Sequence, residues 1–237
     1  MRSLTLISLL AGLADVAGGW LALRFSLSPE GVDRLFGLGA GFMLGGALFT
    51  LVPAAVRASP QGALFVGLGY LGLLVLRLAA RSARRGRDLA AQSAWVALAG
   101  LSFHSYFDGA ALGAAALLDP RLGAMALVVI FLHKLPEGVS LASVVLAATD
   151  SPRLALLSTG VIGLATLLGG WSALVWTRVA ELSHGALLGL AAGSFLYIAA
   201  TDMVPGLMGR GRSAWLVLLG AAIIYLLAGR AGVGHSH

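Results

Sequence analysis

Long apolar runs constrain this chain more than any other feature. They lie at about 3–24, 36–57, 61–80, 92–117, 121–147, 154–177, 184–207 and 213–230. Each is close to or above the ~20 residues that a helix needs to cross hydrocarbon. Only helices and closed barrels satisfy their own backbone hydrogen bonds in lipid. The runs lack the apolar/polar alternation of barrel strands, so they read as helices. Charge agrees: 11% of residues are charged, against roughly a quarter in a soluble domain. The expectation is an all-α integral membrane protein of eight transmembrane helices, forming one domain over 1–237. Asp15, Gly18 and Gly19 interrupt the first run and no polar cleavage region follows it. Met1–Ala22 is therefore read as a retained span rather than a signal peptide.

The chain has no cysteine, which excludes disulfides, thiolate zinc sites and thiol catalysis. Its net charge of +6 does not read as a nucleic-acid signal. Of the basic residues only Lys134 is not arginine, and the arginines crowd span ends and short connections. Arg24, Arg34, Arg77, Arg81, Arg84, Arg85, Arg87, Arg153, Arg210 and Arg212 fall on the side of connections 1, 3, 5 and 7. Arg2, Arg57, Arg121, Arg178 and Arg230 fall on the other. Positive charge favours the cytoplasm. The bias places the Arg81–Asp88 loop inside and both termini outside, in a multi-pass cell (inner) membrane protein. That loop is also suited to touching anionic lipid.

Two internal repeats follow. AGFMLGGALFTLVP (Ala40–Pro53, span 2) matches AGSFLYIAATDMVP (Ala192–Pro205, span 7) at several positions. His104, Asp108 and Gly109 in span 4 match His133, Glu137 and Gly138 in span 5. Each pair joins an even to an odd span, so its members cross in opposite directions, as inverted repeats of secondary transporters do.

The chemistry is concentrated in spans 4 and 5. An ionisable residue inside a membrane helix costs about 2.5–3.5 kcal/mol even on a lenient scale. Yet His104, Asp108, His133, Lys134 and Glu137 lie in these two spans. Positions i and i+4 share a helix face. His104 with Asp108 and His133 with Glu137 can therefore converge as two imidazoles and two carboxylates. That set suits a divalent cation, Zn²⁺ first, with Fe²⁺, Mn²⁺ or Cd²⁺ also compatible. Pro136 frees the carbonyl of Leu132 and is expected to kink the helix. Gly109 and Gly138 leave room for neighbouring helices. A single His–acid pair can equally satisfy itself; two matched pairs in successive spans favour the metal.

At this point the chain resembles the ZIP (Zrt-, Irt-like protein) family of metal transporters. HSYFDGAALGAA from His104 and HKLPEGVSLAS from His133 are similar to that family's fourth- and fifth-helix signatures. LAAGSFLYIAATDMVPG is similar to its seventh-helix pattern, and LFTLVPAA more weakly to its second. The resemblance implies a ZIP-like bundle, a homodimer, and a transport domain sliding against a scaffold. It implies primary ligands at His104, Asp108 and Glu137, with His133 beside them, for an ion that is cargo rather than cofactor. Some members bind a second metal, through an Asn after the first His and an Asp after the second. Ser105 and Lys134 stand there in this chain, so the second site is expected to be degenerate. The Lys134 ammonium would take its place and hold Glu137; the alternative is that it snorkels to an interface.

Weaker signals remain. Asp202, Thr50 and Asp15 are possible pathway residues, with Asp202 equally open to being a solvated helix-end acid and Asp15 to a helix-contact role. Tyr197 reads as packing, Glu181 with His184 as a solvated span end or an outer metal-attracting spot, and His235 and His237 as a weak metal-binding tail or an unstructured end. Two other functions use the same residues: an intramembrane zinc-dependent hydrolase with Glu137 as base, and a membrane protein that binds metal without translocating it.

Overall fold

The computed structural model describes residues 2–25, 28–82, 89–178, 184–208 and 214–230. Arg84, Arg85, Arg87, Glu181, Arg210, Arg212, His235 and His237 lie outside these residues, as does the side chain of Asp202.

The elements in order are α1 (Arg2–Phe25), α2 (Pro29–Gly46), a π turn (Ala47–Leu51), α3 (Val52–Ala58), α4 (Gly62–Ser82), α5 (Leu89–Leu118), α6 (Pro120–Thr149), α7 (Pro152–Arg178), α8 (His184–Tyr197), a second π turn (Ile198–Met203), α9 (Val204–Met208) and α10 (Ala214–Arg230). Spans 4 and 5 of the sequence reading are α5 and α6. Span 2 is α2 with α3, and span 7 is α8 with α9.

Among the described residues six helical stretches are long and apolar enough to cross a membrane, and Trp215–Arg230 is a shorter apolar helix. The 30-residue α5 is not one of the six, because its His104, Ser105, Tyr106 and Asp108 dilute its apolar character. The architecture is thus an all-helical membrane bundle, compatible with a ZIP-like fold. Large apolar side chains such as Leu64, Val75, Leu157, Leu164, Leu218 and Leu226 face outward, as lipid contact requires.

Local chemistry sets the helix starts. Ser28 accepts a hydrogen bond from the Gly31 N–H, and Pro29 occupies the first turn. The helix therefore begins seven residues before the expected 36, through Glu30, Asp33 and Arg34, which the apolar pattern had excluded. Asp119 accepts from the N–H groups of Arg121 and Leu122 at 2.8 and 2.9 Å, with Pro120 next in the chain. Ser and Asp caps followed by proline make a strong helix start. α6 stops at Asp150, whose φ of 52° is left-handed. It runs unbroken through Pro136, whose ring packs against α2 at Gly39.

The two π turns occupy matching places in the repeat, each just before its proline. The Val52 N–H bonds to the Ala47 carbonyl, and the Val204 N–H to that of Ala199, five residues back in each case. Pro53 and Pro205 have no N–H to offer the ordinary ladder, and the wider turn re-pairs the carbonyls before them. The apolar pattern of spans 2 and 7 gave no sign of it.

Packing divides the helices. α1, α5, α6 and α7 pack mainly on one another; α4 packs on α8, and α10 on α2. The two sets meet chiefly where α6 crosses α2 and α5 crosses α8. Missing side chains permit the closest approaches. A Cβ at Gly138 would collide with the Asp15 carbonyl of α1, and one at Gly109 with the Thr166 carbonyl of α7.

Candidate metal centre

His104 and Asp108 sit one turn apart on α5, and His133 and Glu137 one turn apart on α6. The two faces meet. One ligand atom from each of the four falls within 4.8 Å of the others. All four are buried or nearly so, with Glu137 the most exposed at 9%. His104 Nε2 stands 3.4 Å from Asp108 Oδ1, and His133 Nε2 stands 3.3 Å from Asp108 Oδ2. Ligands about 2.05 Å from a tetrahedral ion are roughly 3.3 Å apart, so each histidine already stands at about a ligand–ligand distance from one Asp108 oxygen, His104 from Oδ1 and His133 from Oδ2.

The hydrogen bonding points the same way. His133 Nδ1 lies 2.9 Å from the Val129 carbonyl, an acceptor, so Nδ1 is the donor. In the neutral ring Nε2 then presents a lone pair to Asp108, acceptor facing acceptor. A carbonyl that fixes the tautomer from behind is the usual support of a ligating histidine. Neither ring nitrogen of His104 has a hydrogen-bond partner, nor has Asp108 Oδ1. Buried polar atoms of this kind demand a partner. A cation between His104 and Asp108 satisfies His104 Nε2 and Asp108 Oδ1 together. Phe195 of α8 closes one side, with its ring centroid 5.4 Å from His104 and 4.9 Å from His133.

Beside the four lies a second group. The Lys134 ammonium donates to Ser105 Oγ at 2.8 Å and to Glu137 Oε2 at 3.2 Å. It also stands 3.1 Å from Asp108 Oδ2 and 3.2 Å from Asp15 Oδ2. Ser105 in turn donates to Glu137 Oε1 at 3.0 Å. An ammonium has three protons and faces four oxygens; with Ser105 and Glu137 as its hydrogen-bond acceptors, one proton remains for Asp15 and Asp108 together, and charge supplies the rest of their attraction. Lys134 is 0% exposed and does not snorkel.

A cavity of about 690 Å³ leads away from the centre. His104, His133 and Glu137 line its floor; Phe36, Leu76, Arg77, Val96 and Ser140 line its walls. These residues fall on the halves of their helices nearest connections 1, 3 and 5. In the opposite direction Leu51, Leu112, Val129, Ile130, Leu188 and Phe195 form a closed apolar core.

Comparison with known proteins adds to this geometry. The family model described as ZIP Zinc transporter matches residues 78–231. The chain belongs to the ZIP family. Among ZIP relatives, zinc transporter ZupT of Enterobacter sp. (strain 638) is 31% identical over 220 residues, which is 84% of each chain. ZupT of Escherichia coli O7:K1 is 28% identical over 222 residues, again 84% of each. Human zinc transporter ZIP4 is 34% identical over 121 residues, 51% of this chain but only 18% of that protein. The chain thus aligns with less than a fifth of the length of the human ZIP relative.

The structure brings together His104, Asp108, His133, Glu137, Ser105 and Lys134. It adds Asp15, which sequence reasoning could not separate from a helix contact; the paired Gly18 and Gly138, through which α1 and α6 touch, were the available signal. Thr50 is buried in the first π turn with Oγ1 unpaired and does not line the cavity. Tyr197 packs edge-on against Tyr70, at 5.4 Å between ring centroids, and its hydroxyl accepts from Arg77 at 3.5 Å. Phe195 was not singled out from the sequence.

Proposed function

We propose that this protein carries divalent metal cations, zinc first, across a membrane, with His104, Asp108, His133 and Glu137 holding the ion in transit. The supporting observation is the convergence at Asp108: the buried Nε2 atoms of His104 and His133 stand 3.4 and 3.3 Å from its two oxygens, and His104 Nε2 and Asp108 Oδ1 have no hydrogen-bond partner. Imidazole with carboxylate is borderline chemistry, compatible with Zn²⁺ and also with Fe²⁺, Mn²⁺ or Cd²⁺. ZIP membership indicates a transporter rather than the zinc hydrolase. The relatives, zinc transporters by name, point to the same cargo.

Movement is read from the packing. α1, α5, α6 and α7 form the carrier, and α2, α3, α4, α8, α9 and α10 the frame. The ion lies on the carrier near its contact with α2 and α8, where a slide exposes it to either side in turn. The cavity marks the state open toward connections 1, 3, 5 and 7. By the arginine bias that side is the cytoplasm, with both termini outside the inner membrane. The matched π turns before Pro53 and Pro205 favour spans 2 and 7 as an inverted pair, and the matched His-x-x-x-acid-Gly favours spans 4 and 5 as another. Eight crossings in one domain, paired as a homodimer, complete the reading.

Uptake of radioactive zinc into proteoliposomes tests it. Wild type should load the vesicles and His133→Ala or Glu137→Ala should not. Zinc binding without flux in the wild type would leave a binding protein and sink the transport reading. Competition by Fe²⁺, Mn²⁺ and Cd²⁺ in the same vesicles ranks the cargo.

A further inference from the structure

Asp15 is a buried acid that the four-ligand reading does not use. It is 0% exposed, in the middle of α1, and its Oδ2 stands 3.2 Å from the Lys134 ammonium. Neither of its oxygens has a hydrogen-bond partner. It cannot easily draw back, because its backbone carbonyl fills the space that a Cβ on Gly138 would take. α1 is thereby pressed against α6 within one residue of Glu137.

Charge gives this contact its meaning. Asp15, Asp108, Glu137 and Lys134 share one buried cluster. Three carboxylates and one ammonium leave two negative charges, the charge balanced by a single divalent ion. Without Asp15 the same cluster would hold one negative charge and become positive on binding zinc. Without Lys134 it would hold three. An unbalanced charge at such depth is strongly unfavourable.

We infer that Asp15 is a positioning residue of the metal centre: it anchors and neutralises the Lys134 ammonium as a built-in cation, leaving Asp108 and Glu137 to balance one divalent ion. The inference rests on the His/carboxylate reading above. It assigns α1 a part in binding as well as in packing.

Zinc binding by calorimetry on the purified full-length chain, with flux in vesicles alongside, tests it. Asp15→Asn should weaken zinc binding by roughly 10–100-fold, the usual loss for a partner that orients a metal's ligands, because the ammonium then turns wholly onto Asp108 and Glu137. Adding Lys134→Met removes the opposing charge, and the double variant should bind zinc more tightly than Asp15→Asn alone. A residue that merely holds α1 to α6 would show no such recovery. Wild-type affinity in Asp15→Asn, or a double variant no tighter than the single, overturns the inference. If Asp15→Asn does not fold, the double variant decides: one zinc bound within about tenfold of wild type upholds the inference, and weaker or no binding overturns it. Zinc binding that survives His133→Ala with Glu137→Ala would sink the metal-centre reading itself, and this inference with it.

Discussion

The helices α1, α5, α6 and α7 differ in kind from α2, α3, α4, α8, α9 and α10. Every fully described buried Asp, Glu, Lys or His lies in the first set: Asp15, His104, Asp108, His133, Lys134 and Glu137. Among the fully described residues the second set buries neutral polar side chains, Thr50, Ser194 and Tyr197, with Ser59 just past α3. The first set consists of continuous rods, even through Pro136; the second is interrupted twice by π turns beside proline. Fixed charges at membrane depth need rigid support, since a carboxylate displaced from its partner loses much of its compensation. The two breaks carry no fully described buried Asp, Glu, Lys or His. On the proposed function, the first set holds the ion and the second supplies the surface along which it moves.

The hardest blow to that contrast falls on the charged set. Asp108→Asn removes the carboxylate shared by both histidines and leaves Lys134 with less compensation. Breaking a buried ion pair costs about 3–5 kcal/mol. Zinc affinity measured by calorimetry should therefore fall on the order of 100-fold or more, and vesicle uptake should be lost with it. Wild-type uptake in a folded Asp108→Asn protein would show that the charged set does not carry the ion.

A packing comparison comes next. Gly138→Val drives a side chain into the Asp15 carbonyl, whereas a Cβ at Gly72 on α4 meets nothing within 4 Å. Overpacking costs about 1–3 kcal/mol. Gly138→Val should lower the unfolding temperature in detergent and weaken zinc binding, while Gly72→Ala leaves both unchanged or gains up to about 1 kcal/mol of helix propensity. Equal effects at the two positions would show that the α1–α6 contact is no tighter than the exposed face of α4.

The same contrast explains what was legible in the sequence. Apolar runs locate the helices because lipid demands them, whatever the tertiary contacts. The start of α2 was misplaced because a Ser28–Pro29 cap, not hydropathy, sets it. His104, Asp108, His133 and Glu137 were readable because i,i+4 spacing fixes a common face within each helix. Asp15 was not readable as their neighbour, since nothing local says which face of α1 meets α6. The π turns were invisible because a five-residue hydrogen bond leaves the apolar composition unchanged; only Pro53 and Pro205 hint at them.

Proline bears on the second set. Pro53→Ala or Pro205→Ala restores an N–H and permits the ordinary helical ladder through the turn. If those breaks serve movement, vesicle turnover should fall several-fold, on the order of 1 kcal/mol in the barrier, with calorimetric zinc affinity unchanged. A fall in affinity instead would place the π turns in the binding site and blur the division of labour.

The smallest expected effect is at Thr50. Its Oγ1 is buried in the first π turn with no hydrogen-bond partner, so the hydroxyl contributes desolvation cost without return. Valine has nearly the same shape. Thr50→Val should leave stability within about 0.5 kcal/mol or raise it slightly, and uptake should match wild type. The hydroxyl is nevertheless the repeat counterpart of Asp202, and an oxygen facing a moving cation would also lack a fixed partner. Uptake reduced tenfold with zinc affinity intact would make Thr50 a step on the path. The second set would then touch the ion it is proposed only to guide.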